Sequence, residues 1–423
     1  MTAPSLILSF EDARRSVEDH ASRATPGAKE TLDLLSAAGH VLAEPISADR
    51  DIPPFPRSTR DGYAVRSADL KNIPAKLRVI GEIKAGPNQH SSPMNSGEAY
   101  SIMTGAPVPL GADSVVMVEY TSQQNDSVEI ARAVTLGENI VPQAAEARRN
   151  SLVLNPGTRL NEADIALAAS VGKSQLQVFV RPRVAVLTTG DEIVPIDASP
   201  GPTQIRNSNT YSLAVQIQQA GAEPVLLPIA PDQPHRLHQL IEEGLHSDLL
   251  IMTGGVSMGR YDLVEQVLAD LQAEFFFTGA KIQPGRPVVF GRINSCGSGR
   301  PARSGASAQP PNKYFFGLPG NPVSTMVTFE LFAKPMIEAL AGMSPRPLTF
   351  THARLKSEIR TKTGLTRFLP AILSGTFADS HAELVPWQGS GDIAARSRSN
   401  CYIVIPPDRD HIPAGDWIAI LLR

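Results

Sequence analysis

The sequence predicts a multidomain α/β plus β protein, in which a central doubly wound α/β domain is flanked by small β domains. Three observations carry this expectation. At 423 residues the chain is too long for one core, and about three to four domains are expected. Between residues 183 and 340, short Val/Ile/Leu/Phe runs alternate with helical patterns, as in βαβ units building a mostly parallel sheet. On either side, residues 66–143 and 349–423 show short β-like runs broken by Gly, Pro and Asn turns, as small all-β domains do.

In chain order, Ser9 is an N-cap candidate for a polar helix over 9–20. The stretch "KETLDLLSAAGHVLAE" (29–44) has helical spacing of Leu32, Leu34, Leu35 and Val41. A proline-stiffened loop, "DIPPFPRSTRDGYAV" (51–65), precedes the strands "LRVIGEI", "EAYSIM", "DSVVMVEY" and "VEIARAV". Residues 160–179 read as helix and then strand; joined to the N-terminal helices, they suggest a discontinuous domain with the β domain inserted between. "RVAVLTTG", "AEPVLLPIA", "DLLIMTGG" and "AEFFFTG" suit strands buried on both faces. Helical patterns separate them at "SNTYSLAVQIQQAG", "PHRLHQLIEEGLH" and "YDLVEQVLADL". Residues 293–313, rich in Gly, Ser, Pro and Arg, read as a disordered surface excursion between two adjacent strands. Residues 341–347 read as a linker.

Composition narrows the function. Hydrophobic content of 42% and charged content of 19% suit a soluble globular protein. A net charge of −3 argues against nucleic-acid binding. Cys296 and Cys401 are too few for a disulfide framework or a Cys-rich metal site, and a reducing, cytoplasmic setting is expected. The N-terminal residues carry too short an apolar run for a signal peptide, and no stretch reaches the ~18 apolar residues of a membrane span.

In open α/β sheets, ligands sit at the carboxyl ends of the strands, near a switch in strand order. Four strand ends here carry turns: Thr189-Gly190-Asp191-Glu192, Thr253-Gly254-Gly255-Val256-Ser257, Thr278-Gly279 with "QPGRP" (283–287) shortly after, and Gly317 to Pro322. Tyr314 to Phe316 read as the end of a buried strand, and Val323 to Phe332 as an amphipathic helix with Pro322 at its first position, where a missing N–H costs nothing. Glycines permit close backbone approach, and helix N-termini present unpaired N–H groups. Together these turns suit an anion, a phosphate or pyrophosphate best. Asp191, Glu192, Asp232 and Asp262 fall just beyond strand ends. Beside a phosphate they call for Mg²⁺, or they accept hydrogen bonds from a base or a pterin. A lone acid of this kind is more often a solvated loop residue or a helix cap, which holds for Asp232 more than for Asp191-Glu192. No G-x-G-x-x-G follows the first strand and no Walker A lysine motif exists; the histidines lack metal-ligand spacing.

"STRDGYAV" (58–65), "IMTGAPVPLGADSVVMVE" (102–119), "LTTGDE" (187–192), "TGGVSMG" (253–259), "QPGRP" and "FGLPGNPVS" (316–324) together resemble the molybdopterin molybdenumtransferase family, the MoeA type also found as the E domain of gephyrin. The resemblance implies a discontinuous elongated domain (1–48 with 144–181, dimer-forming), an inserted β domain (49–143), a central molybdopterin-binding domain (182–341) and a C-terminal β-barrel-like domain (347–423). It implies a homodimer that inserts molybdate into adenylated molybdopterin and releases AMP with Mg²⁺. The molybdopterin adenylyltransferase and molybdoenzyme chaperones are implied partners, and neither nucleic acid nor membrane is. Asp61, Thr104 and Glu192 match cleft residues of catalytic role, with Glu192 and Asp61 as metal-holding carboxylates. Asp191, Asp232, Gly254, Gly255, Ser257, Asp262, Arg286, Pro319, Gly320, Asn321 and Pro322 match the substrate-binding set.

Departures from the family pattern concern the site itself. Gln283 stands where a basic residue is usual, Arg60 where a methionine is, Ala147 where an aspartate is, and Pro370 where an arginine is. Arg148 with Arg149, rather than Glu146, is the expected stand-in for the aspartate missing at Ala147. Two rival functions rank lower: a scaffold like the gephyrin E domain, and a nucleotidyltransferase of the adenylyltransferase fold.

Overall fold

The computed structural model describes residues 6–86, 92–255, 263–293, 313–344, 346–376 and 378–422. The chain forms two compact units, one of Met1–Thr31, Gly39–Ala43 and Gln177–Arg423, the other of Leu32–Ala38 and Glu44–Leu176.

The first unit is organised by a six-stranded sheet: β1 (Arg183–Thr188), β2 (Glu223–Leu226), β3 (Leu249–Thr253), β4 (Glu274–Phe277), β5 (Val289–Ile293) and β6 (Lys313–Leu318). Their order is β2-β1-β3-β6-β5-β4. β1, β2, β3 and β6 are parallel, and β5 runs antiparallel to both neighbours. The chain steps outward from β1 to β2 and then back across β1 to β3, so the switch point lies between β1 and β3.

Helices α1 (Asn209–Gln219), α2 (Pro234–Gly244), α3 (Leu263–Asp270), α4 (Pro322–Thr328) and α5 (Lys334–Leu340) cover both faces. Leu237, Leu240, Ile241, Val264 and Val267 of α2 and α3 pack on Ala185, Leu187, Leu250 and Met252. The other face carries α1, α4, α5 and the helix Phe10–Ala21, around Phe277, Phe290, Phe316 and Phe332. Ser9 caps that N-terminal helix, accepting from Asp12 N at 3.0 Å.

Two expectations change. Lys29–Asp33 is a strand, and only Leu34–Ala37 is helical. Asp33 interrupts the pattern by accepting from the N–H groups of Leu35 and Ser36, and Gly39 ends the turn at φ +79°. The segment after Pro322 is not amphipathic: α4 leads through a π-helical turn (Phe329–Ala333) into α5, and Phe329, Leu331, Phe332, Met336 and Ile337 are all buried. It is a helix enclosed by the N-terminal helix and by Phe368, Tyr402 and Leu421. Residues 294–312, which hold most of the expected excursion and Cys296, lie outside the described residues; β5 and β6, which flank them, pair directly.

Toward the carboxyl end, the strands Thr366–Gly375, Ser380–Leu384, Phe350–Leu355, Trp417–Leu422 and Cys401–Ile405 close into a small barrel, because the first also pairs with the last. The short strand Ile282–Gln283 adds to its side in parallel. Cys401 is buried inside, and burial pushes its thiol up to about 11.

The second unit is built on a six-stranded sheet ordered Ser114–Met117, Gly62–Val65, Glu98–Ile102, Ala75–Ile83, Ser127–Ile130, Thr121–Gln124. Its core includes Tyr63, Val65, Leu77, Val116, Val128 and Ile130. The helix Glu162–Ser170 starts at a capping box of Asn161 and Asp164. Among the described residues, no helix is long and apolar enough to cross a membrane.

Phe290 stacks on Phe316 with centroids 4.6 Å apart and meets Phe276 at 5.1 Å. Phe290→Ala is expected to cost about 3–5 kcal/mol in denaturant unfolding; a loss below about 1 kcal/mol would contradict this core.

Candidate functional site

Three strand ends meet at the switch point. After β3, Gly254 and Gly255 take φ of +86° and +63°. A Cβ at Gly254 would lie 2.4 Å from the carbonyl oxygen of Thr189, which follows β1. A Cβ at Gly320, after β6, would lie 3.4 Å from Gly254 Cα. The turns are in contact because they lack side chains there.

Buried side chains hold the carbonyls of the turn after β6. Pro319 O accepts from Thr253 Oγ1 at 3.0 Å and from Thr325 Oγ1 at 2.5 Å, and Gly320 O accepts from Asn209 Nδ2 at 2.7 Å. Asn321 Nδ2 donates to Ser390 Oγ at 2.9 Å, and Pro322 is the first residue of α4. No acceptor among the described residues takes the N–H of Gly254, Gly255, Gly320 or Asn321. With the carbonyls engaged inside, these N–H groups are left for an anion. Thr189 Oγ1 and Asn209 Oδ1 are buried at the same junction without partners among the described residues, in residues only 3% and 7% exposed. An orphaned buried polar atom costs about 1–3 kcal/mol, which a ligand's hydrogen bonds would recover.

The acids lie beside the junction. Asp191 Oδ1 accepts from Asp232 N at 3.0 Å. Partial desolvation raises the Asp232 carboxyl above its ordinary value, and the charges of Asp191 and Glu192 raise it further. Glu192 folds back over Gly190, where φ is +135° and a Cβ would meet Glu192 Oε2 at 2.5 Å. Two carboxylates next to a phosphate suit Mg²⁺, which takes few protein ligands and shares the phosphate oxygens. No cluster of three or more metal-ligating side chains occurs among the described residues. On the outer side of β1, a cavity of about 570 Å³ is lined by Asp191, Asn207, Tyr211, Leu227, Ile229 and Pro231, among others. It is apolar with a few polar groups, as small-molecule pockets are.

Asp61 and Thr104 form a pair in the second unit. Asp61 Oδ1 accepts from Thr104 N at 2.7 Å and from Thr104 Oγ1 at 2.8 Å. The N–H first, and the hydroxyl second, hold the Asp61 carboxyl below the usual range. The hydroxyl of Thr104 donates to Asp61, and with the Thr104 N–H it fixes the position of that carboxylate. Glu146 pairs with Arg57 at 3.0 Å, so its charge is already answered by a cation.

Ser257 and Asp262 lie outside the described residues. Thr278-Gly279 is not open to a ligand, since Gly279 pairs with Ile7 and Thr278 Oγ1 accepts from Leu6 N at 3.0 Å. Arg286 is exposed at the Gln283–Arg286 turn and has no ion-pair partner among the described residues. Asn209, Thr325 and Ser390 were not foreseen. The polar run Asn207-Ser208-Asn209 before a helix was a usable signal; Ser390, far along the chain, gave none.

A sheet with N–H-lined turns and acids at its switch point, joined to a small barrel, is the build of an open α/β protein with its ligand site at the carboxyl ends of the strands. Comparison with known proteins gives its family. The MoeA N-terminal region (domain I and II) matches residues 8–172, a probable molybdopterin binding domain matches 185–339, and the MoeA C-terminal region (domain IV) matches 352–422. A molybdopterin molybdenumtransferase of Nostoc sp. is 34% identical over 93% of this chain and 88% of its own length. One from Staphylococcus aureus is 31% identical over 93% of this chain and 90% of its own. The molybdopterin biosynthesis MoeA protein of Pyrococcus horikoshii superposes with a TM-score of 0.75 at 26% identity, covering 99% of this chain and all of the other (100%). The chain belongs to the molybdopterin molybdenumtransferase family, whose members are transferases of molybdenum cofactor biosynthesis.

A raised carboxyl means that the ionised form is disfavoured in the fold. Asp232→Asn is therefore expected to raise the melting temperature of the ligand-free chain at neutral pH. The gain should fade as pH falls through the raised value, because a proton then neutralises Asp232 in the unaltered chain. A variant that melts no higher at neutral pH would refute the repulsion.

Proposed function

We propose that this chain inserts molybdate into adenylated molybdopterin and releases AMP, the reaction implied by the sequence resemblance and by the names of its relatives. The observation that carries the reading is the junction of Gly254, Gly255, Gly320 and Asn321, whose N–H groups have no acceptor among the described residues, together with the apolar cavity lined by Asp191. The N–H groups hold phosphate oxygens, and the cavity takes a flat ring of the ligand. Thr189 Oγ1 and Asn209 Oδ1 offer hydrogen-bonding capacity that no described residue uses. Ser257, Asp262, Pro319 and Pro322 complete the substrate set, with the prolines keeping the turn rigid.

Asp191 and Glu192 would offer Mg²⁺ two carboxylates, the phosphate oxygens completing its shell, and the ion would screen their charge from the phosphates. Asp61, held by Thr104, orients the molybdate-bearing end, and Glu192 supports cleavage of the phosphoanhydride. Asp61 as a second metal-holding carboxylate, the homodimer, a cytoplasmic setting, the four-domain division and contacts with the adenylyltransferase and molybdoenzyme chaperones belong to the same proposal. Sedimentation tests the dimer.

The direct assay is AMP release from adenylated molybdopterin when molybdate and Mg²⁺ are added. Glu192→Gln is expected to keep ligand affinity within about threefold while slowing release by about a hundredfold, the usual cost of losing one aligned electrostatic group. A near-native rate would refute its role, and no release by the unaltered chain would refute the function.

A further inference from the structure

Two side-chain atoms at the junction of the strand ends, Thr189 Oγ1 and Asn209 Oδ1, are buried with no partner among the described residues. Their neighbours differ. Thr188, Asn207 and Thr210 are also buried and answer one another. Thr188 Oγ1 lies 2.7 Å from Thr210 Oγ1, Asn207 Nδ2 donates to Thr210 Oγ1 at 2.9 Å, and Asn207 Oδ1 accepts from Thr210 N at 3.1 Å. Buried polar groups in folded proteins are paired as a rule. The fold follows that rule one residue away, so two orphans at one junction mark a place where the partner arrives from outside.

The polarity of Asn209 tells what that partner carries. Its Nδ2 donates to Gly320 O at 2.7 Å and to Thr253 Oγ1 at 3.1 Å, and Thr253 Oγ1 donates its own proton to Pro319 O at 3.0 Å. A reversed amide would set its oxygen against the Gly320 carbonyl, so Oδ1 is fixed in place and only accepts. An acceptor is a poor neighbour for a bare oxyanion. Thr189 lies under the glycine turn after β3: Cβ positions at Gly254 and Gly255 fall 3.1 Å and 2.7 Å from its Oγ1. The cover on that side is glycine backbone, with no side chain to displace. Gly190, Asn207 and Thr210, which flank Thr189 and Asn209 in the chain, line the cavity of about 570 Å³.

We propose that Thr189 and Asn209 are a specificity-determining pair, selecting a ligand that carries a hydroxyl proton beside its phosphate. That hydroxyl donates to Asn209 Oδ1. The Thr189 hydroxyl, which both donates and accepts, bonds the same group or a phosphate oxygen. The chemical class is a nucleoside monophosphate, with the proton on its ribose or on the phosphate itself. A fully ionised tetrahedral anion satisfies the N–H groups of the turns and leaves Asn209 unanswered. This rests on the function proposed above, which places a phosphate at those N–H groups.

Two measurements on the full chain test this: melting without ligand, and calorimetric titration with AMP, 2′-deoxy-AMP and 3′-deoxy-AMP. Thr189→Val removes an unpaired buried hydroxyl, so the ligand-free variant should melt about 2 °C or more above the unaltered chain. The same variant should bind AMP about threefold to tenfold more weakly, the worth of one neutral hydrogen bond. Thr189→Ser, which keeps the hydroxyl, should bind AMP as the unaltered chain does. A hydroxyl with a purely structural bond would do the reverse: the Val variant would melt lower and bind AMP unchanged, and either result overturns the proposal. The analogues locate the proton. If it is on the ribose, one deoxy analogue binds the unaltered chain about threefold to tenfold more weakly than AMP. If it is on the phosphate, the analogues match AMP and all three weaken as pH rises past about 6, where a phosphate monoester loses its second proton. Analogues that match AMP with no such pH dependence overturn the proposal. If the unaltered chain binds AMP and releases it from substrate, that failure condemns the selecting pair alone. If it binds no AMP, the pair and the proposed function fall together.

Discussion

The candidate site depends on where the carbonyls of Pro319 and Gly320 go. A tight turn exposes carbonyl oxygens as readily as N–H groups, and exposed carbonyls would repel a phosphate. Here Thr253, Thr325 and Asn209, all buried, draw those oxygens into the protein. Each comes from a different element: the end of β3, the first turns of α4 and the start of α1. The sheet order, which places β3 between β1 and β6, makes their convergence geometrically available. The prolines on either side leave the turn little freedom to reverse. An outward row of N–H groups follows from this inward anchoring, and so does the packing of Gly320 against Gly254.

Around that neutral but polarised junction, the charges are separated by sign. The acids Asp191, Glu192 and Asp232 gather at the end of β1, and burial together with the charges of the first two makes Asp232 costly to ionise. The cations Arg286 and Arg367 lie at the Gln283–Arg286 turn and on the barrel strand paired with Gln283, one exposed and one buried, neither with a carboxylate partner among the described residues. Both arrangements are poor for the stability of an empty protein and useful to one that meets a cation and a polyanion together. Asp61 shows the opposite arrangement, since Thr104 satisfies one of its oxygens twice and keeps it ionised.

Much of this was legible in the sequence because it is local. Buried runs such as Val184–Leu187 and the Gly-Pro turn at 317–322 are short-range patterns, and the structure places a strand and a helix start where they predict. The strand at Lys29–Asp33 was not legible, because the leucine spacing there mimics a helix and only the Asp33 cap breaks it. The inward anchors were not legible either. Asn209 reaches Gly320, and Arg367 reaches Gln283, across 111 and 84 residues of chain. Such contacts depend on the assembled sheet and barrel, and no periodicity encodes them. The occluded Thr278-Gly279 turn failed for the same reason, since the strand that fills it comes from the N-terminus.

The central claim is that the backbone N–H groups at the three strand ends receive the phosphate. Amide resonances report this directly. With the chain labelled at glycine nitrogen and titrated with AMP, the account predicts that Gly254, Gly255 and Gly320 shift together and saturate at one concentration. Gly137 and Gly415, which have open space around them, should stay in place. Saturable AMP binding that leaves the three junction amides unmoved would contradict the account.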